Sequence, residues 1–251
     1  MAGPEDLRLT GERTLPGISH ENYWFMRHVV AYEYVLPMAF NMNVVDIGCG
    51  EGYGPAILAS KAESVLGIDI APEVVAHARR YYGSDKVSFE VMDVNRLDVP
   101  DGAFDLAVSF QVVEHLEDES GYFSEMARVL APGGTAVITT PNRLTISPGR
   151  DKPINPFHLR EYTPAELRDV LKKHFGTIRI LGMFHAGWLA LNERVPVVDF
   201  IRVYEMSIAN PRYWTHKILT PLIRSRDFRF AEVDLARCLD ITAICSTERG
   251  S

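Results

Sequence analysis

The sequence predicts an α/β fold built on a mostly parallel sheet. Three observations carry that expectation. Short apolar runs alternate with helical stretches, turns rich in glycine or proline separate them, and polar groups stand where successive apolar runs end. Strands alternating with helices require crossover connections, and crossovers cover both faces of a parallel sheet.

The first strand, Val44 to Ile47, runs into Gly48-Cys49-Gly50-Glu51-Gly52-Tyr53-Gly54. Glycine is needed where the backbone takes positive φ or must approach a ligand closely. A dinucleotide turn reads G-x-G-x-x-G, and its third glycine position is Tyr53 here. Helical spacing follows from Tyr53 to Lys61. Val65 to Ile70 is a second apolar run, and Pro72 suits the first turn of a helix whose spacing continues from Glu73 to Tyr82. Val87 to Met92 alternates as a strand and meets Asp93. Phe104 to Phe110 is a fourth strand, followed by a helix through Leu130. Pro132-Gly133-Gly134 marks a turn into the strand Thr135 to Thr140, and a final strand is expected over Cys238 to Cys245. Asp46, Asp69, Asp93 and the segment Gln111 to His115 thus fall at or just beyond strand C-termini. Open α/β sheets bind ligands along that edge.

With 251 residues, the chain has room for one decorated α/β domain. A formal net charge of −7 argues against nucleic acid as the partner. The N-terminus has no apolar core of the signal-peptide kind, and no run approaches the roughly 18 apolar residues of a membrane span. Three cysteines make no disulfide framework, so a reducing, cytoplasmic setting is expected. Residues 1–40 form an expected N-terminal lid, 41–185 the core, and 186–251 a helical substrate-side insertion with the final strand.

The run Asp46 to Gly52 resembles motif I of the class I S-adenosylmethionine-dependent methyltransferases. Asp69 falls where that family's acid binds the ribose hydroxyls, with Ile70 beside it, and Asp93-Val94 resembles the pair at the adenine. Phe104-Asp105 to Glu114-His115 resembles the fourth-strand motif, and Leu130 to Gly134 the turn before strand five. The resemblance implies a seven-stranded, mostly parallel, Rossmann-like sheet with S-adenosylmethionine as cofactor. It further implies Asp46, Gly48, Cys49, Gly50, Asp69, Ile70, Asp93, Val94 and Gln111 as donor contacts, with Arg13 on the donor's carboxylate. Plainer roles stand beside these: Asp69 as a helix cap, Cys49 as a buried filler, and Arg13 as a partner of Glu12.

A hydroxyl is a poor nucleophile unless its proton leaves during attack, so methylating one calls for a base with a near-neutral pKa. His115 stands where sugar O-methyltransferases carry such a histidine, and a structural histidine is the alternative. The stretch Asn142 to His158, with Asn22 to Phe25 and Thr10 to Thr14, resembles a narrower group of sugar O-methyltransferases. That group includes the 3-O-methylmannose 1-O-methyltransferase of methylmannose polysaccharide synthesis. It implies Tyr23, Trp24, Asn142, Arg143, Asn155 and His158 as acceptor contacts. His158 is a second base candidate, or joins Glu114, His115 or Asp151 around a divalent ion such as magnesium. The expected partner is a small molecule, a sugar above all, and the expected assembly a homodimer. Three rival functions remain at this point: transfer to a quinone, phenol or lipid, a nicotinamide oxidoreductase, and a silent donor-binding module.

Overall fold

A computed structural model describes residues 14–194, 200 and 210–248. The strands are β1 (Asn43–Ile47), β2 (Ser64–Asp69), β3 (Val87–Val91), β4 (Phe104–Phe110), β5 (Leu130–Pro141), β6 (Thr177–His185), β7 (Phe228–Ala231) and β8 (Asp240–Ser246). They form one sheet in the order β3-β2-β1-β4-β5-β8-β6-β7. β1 to β5 pair in parallel, and β8 lies antiparallel between β5 and β6. The described residues therefore hold eight strands where seven were expected. Two of the eight were not placed from the sequence: β6, and β7, an edge strand of 4 residues inside the stretch expected to be helical. So short a run shows no period of its own and becomes a strand by pairing.

Consecutive side chains on a strand point to opposite faces. Val44, Val45, Asp46 and Ile47 are nevertheless all fully buried, as are Leu106, Ala107 and Val108. Continuous burial means the central strands are covered on both sides, which is why their sequence is mostly apolar, with Asp46 as the buried exception in β1. Pro132-Gly133-Gly134 does not precede β5 but interrupts it. Phe104 pairs with Leu130 and Leu106 already with Thr135, so the intervening residues bulge out of the ladder.

The helices are α1 (Asn22–Val35), α2 (Tyr53–Leu58), α3 (Pro72–Tyr82), α4 (Glu119–Val129), α5 (Arg143–Ile146), α6 (Pro164–Leu171), α7 (Gly187–Arg194) and α8 (Pro211–Leu219). α2 stops short of Lys61 because Ser60 and Lys61 donate to the carbonyls three residues back, tightening the last turn. α4 starts on Asp118, whose side chain accepts from Gly121 N–H at 2.9 Å. α6 opens with a capping box in which Thr163 and Glu166 satisfy each other's backbone N–H groups.

The chain divides into two compact units, residues 32–183 with 230–251 and residues 1–31 with 184–229. In the smaller, Tyr23 is buried and stacks on Phe200 at 4.2 Å, with 3° between the planes. Its hydroxyl meets His185 Nε2 at 2.9 Å, and His185 Nδ1 meets Glu193 Oε1 at 2.6 Å. The Arg27 guanidinium lies 4.7 Å over the Trp24 ring. Among the described residues, no helix is long and apolar enough to cross a membrane.

Candidate active site

The turn after β1 is fixed by main-chain bonds before any ligand is considered. Gly48 and Cys49 both donate to the Ile68 carbonyl at 2.8 Å, tying the turn to β2. Gly50 and Gly52 have φ of +55° and +101°, where an L side chain costs about 1–2 kcal/mol. They differ in surroundings. A Cβ on Gly52 would lie 2.8 Å from Ala78 and 2.9 Å from Phe89, whereas one on Gly50 would meet nothing within 4 Å. Gly52 is thus dictated by packing, and Gly50 faces open space. The Cys49 side chain turns away into a buried cluster with Val75, Ala78, Val87 and Phe89.

Two acids frame this turn. Asp69 accepts from Gly50 N–H at 3.1 Å through one oxygen and from Ala71 N–H at 3.0 Å through the other. Asp46 is fully buried and accepts from the Tyr32 hydroxyl at 2.8 Å, while its Oδ1 has no hydrogen-bond partner among the described residues. Burial pushes its carboxyl up to about 7, the Tyr32 bond opposing the rise and the Asp69 charge adding to it. Ile70, directly after Asp69, is 64% exposed, an apolar surface at the strand end. Beyond β3, Asp93 accepts from Asn95 N–H at 2.9 Å and Val94 is buried. Gln111, at φ +59°, turns the chain sharply after β4, and its amide donates to Thr139 Oγ1 at 3.3 Å.

The second part of the site is a polar corner beyond β4. Leu159 and Arg160 N–H groups donate to the Glu114 carbonyl oxygen at 2.7 and 3.2 Å, stapling the 155–160 loop to the turn that carries His115. His115 Nδ1–H donates to the Phe157 carbonyl at 3.0 Å, which in the neutral ring puts the lone pair on Nε2. His158 Nδ1–H donates to Glu161 Oε1 at 2.8 Å, so its Nε2 accepts from the Asn155 amide at 3.0 Å. Asn155 Oδ1 in turn accepts from Phe157 N–H, which fixes the amide orientation. The two imidazoles lie 5.0 Å apart, edge to face. Below them Glu114 is fully buried and accepts from the Thr140 hydroxyl at 3.0 Å. Burial pushes its carboxyl up to about 8, with Asp240 and Glu161 adding to the rise.

A family model described as a methyltransferase domain matches residues 45–138. A Mycolicibacterium smegmatis protein described as a "Probable S-adenosylmethionine-dependent methyltransferase" is 40% identical over 247 residues, covering 96% of this chain and 95% of the relative. The chain belongs to the S-adenosylmethionine-dependent methyltransferases. A Mycobacterium tuberculosis relative of the same description is 45% identical over 187 residues, 73% of this chain and 67% of its own. Among solved structures, a SAM-dependent methyltransferase from Archaeoglobus fulgidus superposes with a TM-score of 0.61 at 18% identity, covering 90% of this chain and 97% of that one. One from Thermotoga maritima gives 0.62 at 14% identity, covering 91% and 95%. The cofactor of such a methyltransferase is S-adenosylmethionine.

The structure places Asp46, Gly48, Cys49, Gly50, Asp69, Ile70, Asp93, Val94 and Gln111 along the sheet edge of the larger unit, and His115, Asn155 and His158 together in the polar corner. Asn142 requires a correction as an acceptor contact. It is fully buried, its amide donates to the Leu235 and Cys238 carbonyls, and its Oδ1 accepts from Leu144 N–H to cap α5. Arg143 pairs with Glu166 at 2.8 Å. Tyr23 and Trp24 belong to the smaller unit, and Arg13 lies outside the described residues. Sequence reasoning missed Tyr32, Glu161 and Asp240. For Asp240 the available signal was an ionisable residue inside an apolar run, Leu239-Asp240-Ile241.

Proposed function

We propose that this methyltransferase transfers the methyl group of S-adenosylmethionine to a hydroxyl of a small polar acceptor, with a sugar favoured, and that His115 takes the acceptor proton. The observation that carries this reading is the hydrogen bond from His115 Nδ1 to Phe157, which orients Nε2 as the basic nitrogen. Asp69 binds the ribose hydroxyls, Ile70, Asp93 and Val94 border the adenine, and the Gly48–Gly50 turn lets the backbone approach the donor. The donor supplies an electrophilic methyl carbon on a sulfonium. The acceptor oxygen bonds that carbon as the sulfur–carbon bond breaks, sulfur keeps the electron pair, and the hydroxyl proton passes to His115 Nε2. Alignment and removal of that proton are what the protein adds. The second amide hydrogen of Asn155 serves a neighbouring hydroxyl, and the half-exposed Phe157 ring offers a face for a sugar to stack on.

His115→Ala is expected to lower turnover by about two to four orders of magnitude, the usual contribution of a general base, with donor affinity unchanged. Turnover kept within a few-fold would remove His115 from the role. A second reading has its own support. Leu144, Ile154 and Leu159 are also exposed in this region, which favours a phenol, quinol or lipid acceptor. A rice relative described as a "Probable tocopherol O-methyltransferase" is 42% identical over 103 residues, only 28% of its length.

A further inference from the structure

We propose that Glu114, His115 and His158 form a binding site for one divalent transition-metal ion of the zinc, cobalt or nickel kind. One ligand atom from each lies within 4.8 Å of those of the other two. A tetrahedral ion with bonds of about 2.1 Å needs ligands about 3.4 Å apart, so side-chain rotations must draw the three in by roughly an ångström. The backbone is already in place, because Leu159 and Arg160 bind the Glu114 carbonyl.

Independent support comes from an unmatched acceptor. Glu114 Oε1, on a fully buried residue, has no hydrogen-bond partner among the described residues. A buried acceptor left unmatched is costly, and a bound ion is one of the few things that removes the cost. Glu161 also holds His158 by Nδ1, the carboxylate–histidine arrangement that aims the other ring nitrogen at a metal. The Asn155 amide now on His158 Nε2 yields that nitrogen on binding. Two imidazoles and one carboxylate suit zinc, cobalt or nickel, whereas magnesium prefers oxygen ligands and retained water.

This site shares His115 Nε2 with the base role proposed above, so binding and turnover must be measured separately. Chelator-treated protein would be titrated with cobalt(II) by visible absorption and with zinc by calorimetry, in the presence of excess magnesium. One equivalent should bind, and His158→Ala and His115→Ala should each weaken binding at least tenfold. His174→Ala, remote from the cluster, should leave binding unchanged. Stoichiometry below one, or affinity indifferent to both cluster variants, overturns the site. If zinc binds and suppresses transfer, both the site and the base reading stand. If one equivalent is required for transfer, the site stands and the base reading falls. If no ion binds and His115→Ala still abolishes turnover, the site falls and the base reading stands.

Discussion

Two identical substitutions, Gly50→Ala and Gly52→Ala, should fail for opposite reasons. Both positions have positive φ, so each substitution costs about 1–2 kcal/mol in backbone strain. At Gly52 the new methyl also meets Ala78 and Phe89 below 3.0 Å. Overpacking of that kind adds about 1–3 kcal/mol, for a total of roughly 2–5. At Gly50 nothing lies within 4 Å, so only the strain remains. The methyl there enters the space assigned to the donor, and a tenfold or larger loss of affinity is expected, about 1.4 kcal/mol or more. Denaturant unfolding gives the first quantity, and calorimetric titration with S-adenosylhomocysteine gives the second. Gly50→Ala should bind poorly while losing only the roughly 1–2 kcal/mol of strain, and Gly52→Ala should unfold earlier still. A Gly50→Ala protein that binds with unaltered affinity would refute the placement of the donor over this turn.

Further substitutions probe other links. Asp69→Ala should weaken donor binding by roughly 1.5–3 kcal/mol, the worth of charge-assisted hydrogen bonds, seen in the same titration. Asp46 has a folded pKa of about 7 against an ordinary 3.8, so stability present below the lower value is lost as pH rises through the upper one. At about 1.4 kcal/mol per unit this amounts to roughly 4 kcal/mol. In cofactor-free protein, Asp46→Asn should flatten the stability profile between these pH values, and denaturant melts at pH 4 and 8 measure it. Thr163→Ala removes one half of the α6 capping box and should cost about 1 kcal/mol of stability without altering donor affinity.

The central sheet was legible because buried parallel strands leave predominantly apolar runs, as Val44 to Ile47 and Phe104 to Phe110 do despite Asp46, Asp105 and Ser109. The glycine turn was legible for a related reason, since positive φ and close packing leave few alternatives to glycine at Gly52. β7 was not, because 4 residues show no period. Asn142 misled because its residue type suits both a hydroxyl ligand and a helix cap, and only burial distinguishes them. Glu161 and Asp240 were hidden by distance along the chain. Their relation to Glu114 exists only after the sheet brings β8 against β5 and the 155–160 loop folds back on the Glu114 carbonyl.

The most direct test of the account is incubation with methyl-labelled S-adenosylmethionine and a matched panel of sugars, partly methylated sugars, quinols and phenols. Label is expected in a sugar hydroxyl, in a reaction that His115→Ala slows by at least a hundredfold. Label confined to a quinol or phenol would contradict the sugar acceptor, and transfer undiminished in His115→Ala would contradict the proposed chemistry.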